Sequence, residues 1–386
     1  MKHQIDENLA KEARVTSARP LDDFGQERLT RVRVIPELRN YHVASIDRVA
    51  PASNYFFEMK YDLVSVKLPS SLSRVSFWKL LWLLLRSKAT VLELQEPLWV
   101  RLLAKHVCIV FVWKCSRPLA RREVVSYAME NNDLASLMFG KRKGSQVLVC
   151  LFRWILGAYI RMAYTRLAYA SEGSKQSYQS LPFVQGVQSQ VFVNLPEIQE
   201  SPGIVHPRCA SVVMVARMER RKGILELMAA WPTVEATVSE ARLVIVGDGP
   251  ESDLVSRWCM ENPQSRAFLG ALDHPNAMAQ LGRARALVLP SVRSGRWREQ
   301  IGLPIHEGLI QGLTVVTTDE TGLATWLSRN GHLVIPGADA RVHLSEALIQ
   351  SLRNPLDPEM VRASLPAIEG RVEANLWLNG IPGASV

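Results

Sequence analysis

Hydrophobic positions along this chain fall into short runs separated by polar breaks, and the spacing of those runs changes midway. From Ser211 onward, compact apolar runs predict strands at Ser211–Ala216, Arg242–Val246, Arg266–Leu269, Ala286–Leu289, Thr314–Thr318 and His332–Ile335. Segments with a 3.6-residue period predict helices between them, at Gly223–Trp231, Glu251–Cys259, Pro275–Leu281, Leu323–Ser328 and Arg341–Arg353. Strands alternating with helices imply a parallel, doubly wound sheet. The first half alternates less cleanly. Strands are expected at Leu29–Ile35, His42–Val49, Tyr61–Leu68, Thr90–Gln95 and Val107–Trp113, the last read as fully buried. Helices are expected over Glu96–Lys105, from Pro118 towards Gly140, and over Gln146–Ala170. YASEGSKQSY reads as strand, turn and helix, and QVFVNLP as the closing strand of this half.

Residues 1–27 are polar and aperiodic, and read as a leader. Residues 196–207 hold three prolines and a glycine, the composition of a linker. The expected organisation is therefore a Rossmann-like domain over 28–195, the linker, and a second over 208–386 whose final helix packs back on the first. A length of 386 residues suits two domains of ordinary size.

Composition adds three points. The net charge of +9 is lopsided: residues 1–195 carry 28 Lys and Arg against 16 Asp and Glu, or +12, leaving −3 for the rest. Such a basic half suggests an anionic partner, nucleic acid or a membrane surface. No recognition helix, RNP-like motif or zinc knuckle accompanies it, so nucleic acid is not expected. Two segments suit a lipid headgroup boundary, Ser76–Lys88 (SFWKLLWLLLRSK) and residues 152–170 with aromatics interleaved among Arg153, Arg161 and Arg166. The bland reading is two core helices whose basic residues reach solvent. Five cysteines without C-x-x-C spacing read as reduced thiols, and the charged start has no apolar core of a signal peptide. No run approaches the roughly 18 uninterrupted apolar residues of a membrane span.

The most informative stretch is Ser291–Gly312, SVRSGRWREQIGLPIHEGLIQG, between two expected strands. Glu299 and Glu307 are separated by seven residues that read as a loop becoming a helix, with Gly302 at the turn, Leu303 after it and Pro304 in the first helical turn. A loop at a strand's carboxyl end, leading into a helix amino terminus, is where α/β folds place ligands. Two carboxylates there can accept hydrogen bonds from sugar hydroxyls. Solvated surface carboxylates are the alternative.

EQIGLPIHE resembles the E-x7-E signature of GT-B glycosyltransferases, most nearly glycosyltransferase family 4. VARMERRKG (Val215–Gly223), LVIVGDGP (Leu243–Pro250) and AFLG (Ala267–Gly270) resemble three further family segments in family order. The resemblance covers roughly residues 205–355 and implies two Rossmann-like domains facing across a cleft. By it, Glu307 would hold ribose hydroxyls of a nucleotide and Glu299 hydroxyls of the transferred sugar. Arg217 and Lys222 would stabilise the diphosphate leaving group, a role for fixed cations without a metal. Gly247 and Gly249 would admit the nucleotide to the backbone, Gly270 would lie near the base, and Gly302, Leu303 and Pro304 would complete the donor pocket.

Two departures stand out. The loop before Glu299 carries extra residues, and its Arg293, Arg296 and Arg298, with Lys114, are candidates for an acidic acceptor or phosphate. The histidine expected after the strand that VCIVFVW resembles is replaced by Trp113-Lys114-Cys115, and the amino-terminal glycine loop is reduced to Gly25. The resemblance thus implies transfer from a UDP- or GDP-sugar to an acceptor hydroxyl of a polysaccharide or lipid-linked glycan, with retention and with neither metal nor other cofactor. The expected place is cytoplasmic, at the inner membrane face. Left open are an inverting transferase with Glu93, Glu96 or Asp133 as base, a nucleotide-sugar epimerase, and a non-catalytic nucleotide-sugar-binding partner subunit.

Overall fold

The structure, a computed structural model, describes residues 30–60, 63, 68–140, 145–199 and 210–381. The expected leader 1–27 with Gly25, nearly all of the strand expected at Tyr61–Leu68, and most of the linker lie outside the described residues. Two parallel sheets, of seven and six strands, carry the fold. By packing, the chain divides into two units: the described residues up to Glu93 with Phe111–Glu123, and Leu94–Val110 with Val124 onward.

In the first unit β1 (Arg31–Leu38), β2 (Ser53–Met59), β3 (Leu72–Arg74) and β4 (Val91–Leu94) run in the order β3-β2-β1-β4. Between them stand α1 (Asn40–Ser45) and α2 (Phe77–Arg86), and α3 (Leu103–Cys115) follows β4. Ile35, Leu38, Phe56 and Leu72 form a buried cluster on β1, β2 and β3. Arg33, buried in β1, is held by Glu93 at 2.7 Å, by the Asn54 side chain and by the Ala50 carbonyl. That pairing fixes Glu93 as a structural carboxylate.

The second unit adds β5 (Glu123–Ala128), β6 (Arg166–Tyr169) and β7 (Gln188–Val191), with α4 (Leu134–Phe139), α5 (Gln146–Ala163) and α6 (Glu172–Gln179) among them. Its six-stranded sheet contains β8 (Ser211–Val215), β9 (Arg242–Val246), β10 (Arg266–Phe268), β11 (Ala286–Leu289), β12 (Thr314–Thr318) and β13 (Leu333–Ile335), ordered β10-β9-β8-β11-β12-β13. Around it pack α7 (Ile224–Thr237), α8 (Ser252–Met260), α9 (His274–Arg283), α10 (Leu303–Ile310), α11 (Ala324–Arg329), α12 (Ala340–Arg353), α13 (Pro358–Ala363) and α14 (Gly370–Leu378). Helices on both faces explain why β11 and β12 are buried throughout, and Leu243, Ile245, Leu287 and Val315 are fully buried in one continuous core. The order reverses where β8 sits between β9 and β11, which places a ligand crevice at the carboxyl ends of those strands. Helix α14 returns to the β7 region: the Gly370 N–H donates to the Leu195 carbonyl at 3.1 Å, and the Trp377 ring lies 5.5 Å from that of Phe192.

Four readings of the first half are corrected, the simplest being that the helix expected over Gln146–Ala170 ends at Ala163 and Arg166–Tyr169 is β6. VCIVFVW is not a strand but most of α3, whose buried residues His106, Ile109, Val110 and Trp113 recur at helical spacing. A run that is apolar on every face carries no period, and tertiary packing decided against its β-branched residues. His42–Val49 is not a strand either, since α1 occupies Asn40–Ser45, and the strand in this region is β2. The helix expected from Pro118 to Gly140 is instead β5 followed by the short α4.

Candidate functional site

The site is built on the loops after β8, β9, β10 and β11. After β8, Arg220–Lys222 form a 3-10 turn that ends at Gly223, in left-handed backbone at φ +78°. A Cβ at Gly223 would lie 1.9 Å from the Pro290 carbonyl oxygen, so this crossing of two strand-end loops admits no side chain. The turn aims Lys222 at the β11 loop, where its Nζ stands 2.6 Å from Glu299 Oε2. Ser291 Oγ donates to the same oxygen at 2.9 Å. Glu299 is buried, at 7% exposure, so its charge is matched by one cation and one hydroxyl. Trp297 covers the pair, with Lys222 Nζ 4.9 Å and the Arg221 guanidinium 4.4 Å from its ring centre.

Arg217 is more open: its Nε is 2.7 Å from Glu219 Oε1, and its side chain is 60% exposed. Glu219 also accepts from Arg221, and that hydrogen bond, with the charges of Arg221, Arg217 and Lys222, holds its carboxyl below the usual range. The β9 loop reaches across to β8. Gly247, at φ +136°, would set a Cβ 1.8 Å from the Ala216 carbonyl oxygen, and Gly249 one 2.6 Å from that of Met218. The Gly247 N–H donates to the Gly270 carbonyl at 2.8 Å, tying the β9 and β10 ends together. Gly270, at φ +64°, faces open space.

Gly302, at φ +77°, precedes α10, and Pro304 sits in the helix's first turn. Leu303 is exposed. Glu307 lies one turn further, its Oε1 3.3 Å from His274 Nε2 of α9. Burial pushes the Glu307 carboxyl up, and His274 opposes that shift. His306 points the other way, its Nε2 2.7 Å from the Asn194 carbonyl, and burial drives its pKa down to about 4.

The arginine-rich loop is committed within the protein. Arg298 Nε pairs with Glu320 at 2.7 Å, and its two terminal nitrogens donate to the Asn131 and Asp319 carbonyls. Arg296 donates to the Met138 carbonyl at 2.6 Å, and Arg293 pairs with Asp133 at 3.1 Å. Asn131 and Asn132 return hydrogen bonds to the Glu299 and Arg296 carbonyls, both at 3.1 Å. The loop is thereby clasped to the segment after β5. Lys114, at the end of α3, is half-buried, and desolvation lowers its pKa against the nearby Glu123.

Of the three proposed bases, Glu93 is spent on Arg33, and Asp133 caps α4 by accepting the Ser136 N–H at 2.8 Å. Glu96 is fully buried beneath the β5 loop. The parallel strand preceding that loop is β5, and Met129, Glu130 and Asn131 follow it, again without a histidine. Sequence reading passed over Ser291, Trp297 and His274. Ser291 was legible as a hydroxyl at a buried strand's end; the other two meet the site through tertiary contact alone.

Residues 210–354 match the family model of glycosyl transferases group 1. Glycogen synthase of Mycobacterium tuberculosis is 34% identical over 116 residues, 30% of this chain and 27% of that protein. A phosphatidyl-myo-inositol mannosyltransferase of Mycobacterium leprae is 30% identical over 167 residues, 42% of this chain and 43% of that protein. The chain thus spans less than half the length of these curated relatives. Among solved structures, the lipopolysaccharide outer core galactosyltransferase WaaB superposes with a TM-score of 0.61 at 13% identity, covering 91% of this chain and 100% of that one. Anabaena Alr3699/HepE in complex with UDP-glucose does so with a TM-score of 0.55 at 12% identity, covering 90% and 95%.

Proposed function

We propose that this chain, whose residues 210–354 match the glycosyl transferases group 1 model and whose fold is GT-B, moves a sugar from a nucleotide diphosphate sugar to an acceptor hydroxyl of a glycan or lipid-linked glycan. The observation that carries the reading is the Lys222–Glu299 pair at 2.6 Å at the strand ends, its carboxylate buried. In the donor complex Glu299 accepts hydrogen bonds from sugar hydroxyls while Lys222 turns to the diphosphate. As the glycosidic bond breaks, negative charge gathers on that diphosphate. Lys222 and the exposed Arg217 stabilise it as fixed cations, without a metal. Glu307, whose carboxyl is open to one side and steadied by His274 on the other, accepts from the ribose.

Retention suits this geometry, because Glu93, Glu96 and Asp133 all have structural partners. The departing phosphate then takes the proton of the attacking hydroxyl. Similarity to a protein crystallised with UDP-glucose and to one named as GDP-mannose-dependent supports a uridine or guanosine donor.

The acceptor side fits a membrane-borne substrate at the inner face. Helix α5 carries no acidic residue and turns Val147, Leu148, Leu151, Trp154, Ile155 and Met162 to solvent. Among the described residues it is the helix long and apolar enough to cross a bilayer. Its other side is packed, however: Val149, Leu156 and Ile160 are buried, and a Cβ at Gly157 would meet the Pro182 carbonyl oxygen at 2.2 Å. It therefore lies in the headgroup plane, with Arg161 among its exposed residues.

A thermal-shift screen of UDP, GDP, ADP and their sugar conjugates tests the donor reading. Ligand at a hundred times its dissociation constant adds about 2.7 kcal/mol of stability. One nucleotide should stabilise wild type and lose that effect in Glu307→Ala. No shift with any of them at millimolar concentration overturns the proposal. Turnover unchanged by a chelator supports the metal-free mechanism, and its loss refutes it.

A further inference from the structure

A buried acidic cluster beneath the β5 loop has no part in the donor chemistry above. At its base is Glu96, in left-handed backbone at φ +48°, an unusual conformation for a residue with a side chain. Its Oε2 accepts the Met129 N–H at 2.6 Å and the Glu130 N–H at 3.0 Å, and its Oε1 accepts the Tyr178 hydroxyl. Glu96 thus fixes the main chain just after β5. The Glu130 side chain then reaches away from it. Its Oε1 accepts the Asn132 N–H at 3.1 Å, and its Oε2 accepts Gln300 Nε2 at 3.0 Å.

Gln300 is the residue next to Glu299, and the surrounding bonds converge on that neighbour. The Glu299 carbonyl accepts Asn131 Nδ2 at 3.1 Å and the Gly322 N–H at 3.2 Å. Arg298, on the other flank, donates to the Asn131 carbonyl at 2.6 Å. The main chain on both sides of Glu299 is therefore gripped by residues 130 and 131, while Lys222 and Ser291 hold its carboxylate. A buried carboxylate whose oxygens are spent on its own turn's Asn132 N–H and on one side-chain amide is expensive to keep unless the position of that amide matters.

We propose that Glu130 is a positioning residue of the donor site: through Gln300 it sets where the Glu299 carboxylate meets the transferred sugar. It touches neither Lys222 nor the Glu299 carboxylate, so its influence runs through the loop. The inference rests on the donor reading of Glu299. A pH dependence follows. Burial, and then the charge of Glu96, push the Glu130 carboxyl up to about 7, against the Asn132 N–H, Gln300 and Arg298. These are the charged and polar groups that face it, with Tyr178 behind Glu96. An ionised carboxylate accepts the Gln300 amide more strongly than a neutral acid does. The grip on the loop is therefore firm above pH 7 and slackens below it.

The test is calorimetric titration of UDP, UDP-glucose, GDP and GDP-mannose into wild type, Glu130→Gln, Glu130→Ala, Gln300→Ala and the Ala pair, at pH 6 and 8. For whichever nucleotide binds wild type, Glu130→Ala and Gln300→Ala should each weaken the sugar conjugate about 10-fold, and the pair together no more than either alone. Affinity for the free nucleotide should stay within about 2-fold, because Glu299 faces the sugar. Wild-type affinity for the conjugate should fall between pH 8 and 6, and Glu130→Gln should lack that fall.

Equal losses of nucleotide and conjugate would mean a merely structural role and overturn the inference, as would effects that multiply in the pair. Absence of binding by wild type would instead sink the donor reading, and the inference with it. If Glu130→Ala does not fold, Gln300→Ala reads the same hydrogen bond from the solvent-reaching side, and Glu130→Gln reads the titration.

Discussion

At the scale of single residues, the site depends on atoms that are missing as much as on those present. Gly223, Gly247 and Gly249 lie where a Cβ would strike a carbonyl oxygen of the adjoining strand-end loop, at 1.9, 1.8 and 2.6 Å. Close approach of main chains is what brings Lys222 under Glu299. Gly247→Ala combines that collision with φ +136°, a region costing about 1–3 kcal/mol for a side chain. It should lower unfolding free energy by more than about 2 kcal/mol in urea titrations without nucleotide. Gly270→Ala, at φ +64° with nothing nearby, should lose only about 1 kcal/mol. Equal losses would show that conformation, and not the collision, dominates. The extra arginines before Glu299 have a similar lesson: as sequence they suggested an anion site, yet each guanidinium has a carbonyl or carboxylate of this protein to satisfy.

At the scale of elements, α5, like α2 with its exposed Trp78, Trp82 and Leu85, has a surface out of keeping with water. Six large apolar side chains face solvent along 18 residues, with Trp154 53% and Met162 75% exposed. Phe183 extends the patch, its ring 5.3 Å from that of Trp154. Patches of this kind mark interaction surfaces. Vesicles containing phosphatidylglycerol should bind the protein in flotation, and neutral phosphatidylcholine vesicles should bind it less. Leu151→Glu with Ile155→Glu should abolish binding while leaving the melting temperature within a few degrees, since both side chains already contact water. Retained flotation by that pair would move the contact elsewhere. A wild-type dimer that the same pair dissolves, with no lipid binding, would assign the face to a second copy. Elements also show why the first half was harder to read. Helix α3 has apolar residues on every side, so the period that separates helix from strand is absent from VCIVFVW. Strands β8 to β13 are short, mostly apolar runs between polar breaks, and are readable to within a residue or two.

At the scale of the whole molecule, burial of titratable groups links stability to pH. Burial drives His106, His306 and His332 down to about 4. A histidine whose folded pKa is depressed contributes stability in full above about 6.5, and that contribution is lost as pH falls towards 4, at about 1.4 kcal/mol per unit. Glu130, raised to about 7, acts in the opposite sense: its contribution is present below its unfolded pKa and lost as pH rises through 7. The net slope mixes both, so the clean measurement compares variants. His106 is 1% exposed, and neither ring nitrogen has a hydrogen-bond partner among the described residues. His106→Leu should gain stability relative to wild type progressively as pH drops from 6.5 to 4, measured by urea unfolding. A constant difference across that range would show that His106 does not titrate with unfolding.

Local pattern is enough to read the alternating second half, the E-x7-E loop with its turn at Gly302, and the basic turn after β8. These are local: periodicity, glycine placement and helix-start chemistry lie within a dozen residues of one another, and each dictates its own conformation. Only the packing of the whole chain settles which oxygen Lys222 meets, that Trp297 lies against Lys222 and Arg221, and that the arginine loop is clasped to the segment after β5. It also decided that the acidic residue of consequence beneath that loop is Glu130, some 170 positions from Gln300. Such pairings are fixed by how sheets and loops stack. No local pattern encodes them, because the partners share no segment, and only the burial that brings them together makes their charges and hydrogen bonds matter.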